Sequence, residues 1–147
     1  MAATLKQGNM MDHMSECNHF LICTYSNLRS ATGELVMMNG IAYEVSNKFP
    51  SAPKAVGTLI KDQVGDCGLY YLMCNNKIGL FQVGIVPRNG PSLGIVSTAT
   101  KMLADLAEAN PDKTYYLEAM WLKGEKFTCD GFLRMLPENV HVWEPKY

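Results

Sequence analysis

With 147 residues, a formal charge of -1, 48% hydrophobic and 18% charged side chains, the chain has the size and balance of one globular domain spanning 1–147, able to bury a core without cross-links. The near-neutral charge excludes a general affinity for nucleic-acid phosphates, and no apolar run approaches the roughly 20 residues that cross a bilayer. Five cysteines with no Cys-x-x-Cys pair suggest neither a zinc ribbon nor a disulfide framework, so a reducing, cytoplasmic setting is expected.

Met1 to Asn18 carries Asp12 and Glu16 and too few consecutive apolar residues for a secretory signal. Gly8-Asn9-Met10 follows a short strand, and Phe20 to Tyr25 is an apolar, partly β-branched run that predicts a buried central strand. Ile41 to Lys48 predicts a short helix closing at Phe49-Pro50. A second helix is expected from about Ala52 to Val64, with Pro53 in the first turn, where a missing N–H is harmless, and Gly65 at the end.

Leu69 to Cys74 and Ile78 to Val83 flank the polar connection Asn75-Asn76-Lys77, which predicts an antiparallel hairpin. Ser92 to Asn110 gives the clearest helix: Leu93, Val96, Ala99, Leu103, Leu106 and Ala107 recur at helical spacing between a capping Ser92 and a terminating Asn110-Pro111. Tyr115 to Leu117 reads as a strand, Thr128 to Leu136 as a short helix, and His141 to Trp143 as a last strand. This alternation predicts an α/β layered fold, with site loops after Tyr25, Val83 and Leu117, beyond the carboxyl ends of the strands.

Within Gly33 to Pro50 a polar turn runs through Asn39-Gly40 into a helical apolar pattern. Such a loop either presents backbone N–H groups to a phosphate or is only a turn. His13, His19 and His141 have no partner spacing for zinc or for a nucleophile and base, and no Gly-x-Ser-x-Gly elbow, Walker loop or His-Glu-x-x-His is present. No metal or cofactor is implied. Ten methionines are read as an adaptable core rather than a promiscuous binding surface.

Taken in order, Gly8-Asn9-Met10 after a strand, Leu21 to Thr24 followed by Tyr25-Ser26-Asn27, the Gly33 to Pro50 stretch, and Ile78 to Val83 before a long helix resemble the motif succession of macrodomains. From about Leu5 to Val142 the chain looks most like their compact branch, which includes phage and bacterial ADP-ribose-binding proteins and enzymes that remove ADP-ribose from carboxylate side chains. The resemblance implies a three-layer α/β/α sandwich with a mixed central sheet, and a site for ADP-ribose or a related nucleotide.

Carried over residue by residue, it implies that Asn9, beside Met10, stands where the family commonly places an adenine-reading aspartate, with a turn role equally open. Asn27 resembles the asparagine that approaches the distal ribose, or supports a turn. Met38-Asn39-Gly40-Ile41-Ala42 matches the first phosphate loop in its last three residues. The second phosphate loop would be Met120 to Phe127, where only Gly124 allows easy backbone approach and Lys123 with Lys126 would offer side-chain charge instead.

Trp121 and Phe127 stand where they would stack on a base or ribose, or else pack in the core. Glu125 aligns with an aspartate that the de-ADP-ribosylating branch uses for acid–base chemistry, while that branch's lysine has no counterpart at Phe81-Gln82-Val83-Gly84. Three functions follow: an ADP-ribosyl hydrolase or ADP-ribose phosphate phosphatase using Glu125, an inactive module that sequesters a signalling nucleotide, or an interaction protein that engages a protein partner through exposed Met, Trp and Tyr side chains.

Overall fold

The computed structural model describes residues 2–37, 40–118 and 129–144. Six strands form one sheet: β1 (Thr4–Gln7), β2 (His19–Thr24), β3 (Leu72–Met73), β4 (Ile78–Gln82), β5 (Tyr115–Glu118) and β6 (Val140–Glu144). Their spatial order is β1-β6-β5-β2-β4-β3. Every pairing is parallel except that of β3 with β4, so the sheet is mixed, and the antiparallel hairpin expected around Asn75-Asn76-Lys77 is present. The expected central strand is β2, hydrogen-bonded to β4 on one side and β5 on the other.

Parallel neighbours must be joined by crossovers, and helices supply them. These are α1 (Gly40–Lys48), α2 (Ala52–Gln63), α3 (Leu93–Ala109) and α4 (Cys129–Met135), and the expected helices each correspond to one of them within a few residues. A 3-10 segment over Met10–Glu16 follows β1; the sequence pattern did not reveal it. Ser92 caps α3 by accepting from the Ile95 amide at 3.5 Å, whereas Ser51 makes no side-chain cap on α2 because its own backbone is already helical.

Side-chain alternation along β2 divides the core into two layers. Leu21 and Cys23 pack with Val96, Ala99, Leu103 and Ala107 of α3 and Phe132 of α4, while Phe20 and Ile22 pack with Met10, Ile41, Ala42 and Val45 of α1 and Ile60 of α2. Helices thus cover both faces, giving the expected α/β/α layering. Among the described residues no helix is long and apolar enough to cross a membrane.

Candidate functional site

β2 sends the chain onto the α1–α2 face, whereas its neighbours β4 and β5 send it to α3 and α4 on the other. Where successive connections diverge in this way, a crevice opens beyond the strands' carboxyl ends. Among the described residues, the loops after β2 and β4, the end of β5 and the start of α1 meet at this edge of the sheet.

Gly40 opens α1 with φ +55, a left-handed conformation that favours glycine. The first N–H groups of a helix have no intrahelical partner and carry the positive end of its dipole. One is occupied: the Ile41 amide donates to Glu118 Oε2 at 3.3 Å. A Cβ built on Gly40 would lie 2.8 Å from Glu118 Oε1 and 3.1 Å from Oε2, so a side chain here would be strained by its φ and would have to push the carboxylate aside. Glu118, the last residue of β5, is only 7% exposed. This contact joins residues 77 apart in the chain, and no local pattern marks it.

Asn27 lies in the loop after β2, where its amide and that of Ser26 both donate to the Ile85 carbonyl at 3.1 Å. Among the described residues, its Oδ1 and the Ser26 hydroxyl are buried without a hydrogen-bond partner. Two such orphans side by side at the crevice edge are costly and ask for a polar group from outside. Asn9 differs. It is exposed, and its Oδ1 accepts the Met11 amide at 3.1 Å, capping the 3-10 segment, while Met10 is 1% exposed within the core. Ile41 and Ala42 are buried, so only their backbones are placed to serve a ligand. Met38, Asn39, Trp121, Lys123, Gly124, Glu125, Lys126 and Phe127 lie outside the described residues.

Gln82 is the last residue of β4. Its Oε1 accepts the Tyr70 and Tyr71 amides, both at 2.8 Å, and its Nε2 donates to the Gly68 and Gly84 carbonyls at 3.1 and 3.2 Å. With every polar atom engaged, Gln82 is a clamp on two loops rather than a reactive group. Nearby, the Tyr70 and Thr24 hydroxyls bond to each other and Tyr70 donates to the Tyr25 carbonyl at 2.8 Å; burial pushes the Tyr70 phenol well above its ordinary pKa. The Cys23 thiol, donating to the Glu118 carbonyl at 3.5 Å, is raised by burial first and by the Glu118 charge second, which makes it inert.

A separate concavity of 560 Å³ lies between the loop after β2 and α2, lined among others by Arg29, Thr32, Lys54, Lys61, Asp62 and Asp66. Its charges are mixed and partly committed: Asp66 accepts the Leu28 amide at 2.8 Å and Lys54 donates to the Thr32 carbonyl. Among the described residues no group of three or more His, Cys, Asp and Glu side chains is placed to hold a metal.

No protein-family model matches the chain, and no curated protein matches it in sequence. Solved structures do. The macrodomain of Thermus aquaticus DarG superposes with a TM-score of 0.70 at 14% identity, covering 99% of this chain and 98% of that one. The Mycobacterium tuberculosis DarG macrodomain gives 0.66 at 13% identity over 99% and 98%. Thermosipho africanus DarTG, solved in complex with ADP-ribose, gives 0.61 at 15% identity, covering 97% of this chain and 42% of that one. At such identities the likeness defines the fold: the chain has the α/β architecture of a macrodomain.

Proposed function

We propose that the chain binds ADP-ribose or a related ADP-ribose-containing nucleotide in the crevice at the carboxyl ends of β2, β4 and β5. The observation that carries this reading is the start of α1, where the Ile41 amide already holds an anionic group, the Glu118 carboxylate, beside Gly40. A helix N-terminus that seats a carboxylate is chemically suited to phosphate. The unpaired Asn27 Oδ1 suits a ribose hydroxyl, and the shared fold of a DarTG protein solved with ADP-ribose lends the ligand class.

In this reading the backbone of Gly40 to Ala42 faces the diphosphate and Asn27 the distal ribose; Asn9 and Met10 are left out of it, because Met10 is buried in the core and the Asn9 Oδ1 is used by the Met11 amide. Trp121, Lys123, Gly124 and Phe127 are the further ligand contacts that the macrodomain resemblance implies. Binding is favoured over covalent turnover because the stretch Phe81-Gln82-Val83-Gly84 offers no lysine and its Gln82 is fully engaged in structure. Hydrolysis would fall to Glu125 as acid and base.

Calorimetry with ADP-ribose tests the reading: saturable heat is expected from the wild type and none from Gly40→Glu, whose side chain would enter the seat. Absence of heat at millimolar ligand would sink it. Incubation with ADP-ribosylated protein, followed by mass spectrometry in wild type and Glu125→Gln, separates capture from hydrolysis.

A further inference from the structure

The carboxylate of Glu118 stands where a diphosphate would have to sit. Oε2 takes the Ile41 N–H, and both oxygens lie within about one atomic contact of the open side of Gly40. The side chain does not reach this point by chance of a mobile surface. Its Cα is fixed by the pairing of β5 with β6, where Glu118 faces Trp143, and the group is 7% exposed. A phosphate aimed at the same amides would meet an N–H already used and a like charge at contact distance, where partial burial leaves little solvent to screen the repulsion.

This inference rests on the crevice being a nucleotide site. We propose that Glu118 is its specificity-determining residue, an internal occupant of the anion seat that a ligand must displace. Free phosphate and pyrophosphate have only that seat to gain and are rejected. A complete nucleotide has additional contacts, with the Asn27 oxygen and the adjoining loops, from which to draw the free energy of moving Glu118 aside. The carboxylate therefore trades affinity for selectivity, in the way a repulsive element excludes a competitor that shares part of the true ligand.

The test follows backbone amides by NMR while inorganic pyrophosphate, and separately ADP-ribose, is titrated into wild type, Glu118→Ala and Glu118→Gln. The Gln variant keeps the size and an acceptor for Ile41 if the Ala variant fails to fold. With pyrophosphate, the Ile41 amide is expected to stay still in the wild type and to move in at least one variant, with affinity raised about tenfold or more. Equal pyrophosphate affinity in wild type and both variants would overturn the proposal. If pyrophosphate behaves as expected but ADP-ribose binds no form, the nucleotide reading fails and the role of Glu118 in guarding the seat stands.

Discussion

Two residues do work that only their neighbours explain. Gln82 is buried, and its side chain satisfies four backbone groups at once. One of these, the Tyr71 amide, belongs to a residue held at φ 58, so the bond also offsets local strain. Gln82→Leu keeps the bulk and deletes every bond, leaving buried amides and carbonyls unpaired; a loss of about 2–4 kcal/mol is expected from urea unfolding. Gly40→Ala carries two separable costs, the left-handed φ and the collision with Glu118. In wild type we expect a loss of about 2 kcal/mol, of which roughly 1 is the backbone term. In a Glu118→Ala background only the backbone term remains, so a double-mutant cycle reads the contact directly.

At the scale of elements, α2 and the loop before α1 are docked by close backbone approach. A Cβ on Gly57 would fall 2.0 Å from the Gly33 carbonyl and 2.9 Å from the Leu35 amide, and Leu35 N itself donates to the Pro53 carbonyl at 2.9 Å. Gly57→Ala improves helix propensity by about 1 kcal/mol, yet forces these backbones apart. A net loss of about 1–3 kcal/mol is expected, with hydrogen exchange rising in 28–37 before it rises in α3.

Most elements are legible in the sequence and their assembly is not. The expected strands and helices correspond to β1 to β6 and α1 to α4 because their signals are local: apolar runs, helical spacing, and Ser92, Pro53 and Asn110 at their ends. The strand expected over Leu69 to Cys74 is realised only at Leu72–Met73, since Tyr71 takes a left-handed φ of 58 that breaks the extended run. Strand order is not local, nor is the encounter of Glu118 with Ile41. The expected strand stopped at Leu117, because a glutamate after an apolar run reads as the start of a solvated loop. Buried on all four residues, β5 has no alternation to mark which way Glu118 points. For Asn9 the sequence leaves a turn role and an adenine role open, and its cap on Met11 engages the oxygen that an adenine contact would use.

Over the whole molecule, ionisable groups confine stability to a pH window. Burial raises Cys23 and Tyr70 well above their ordinary values and pushes Cys74 up to about 11. Each binds its proton more tightly when folded, so its contribution is complete below the unfolded pKa, near 9 for the thiols, and is lost as pH rises through the folded value. His141 sets the opposite limb. Burial first, and Lys6 second, lower it from 6.5, so its contribution is present above that value and lost as pH falls. Urea midpoints should therefore form a plateau between about pH 7 and 8.5 and decline on both sides. His141→Gln should flatten the slope below pH 6.5, and Cys23→Ala should make the alkaline decline shallower even though the lost volume lowers the plateau itself. Unchanged slopes in both variants would show that other groups govern the edges, and that the two-layered core around β2 does not pay for holding these side chains neutral.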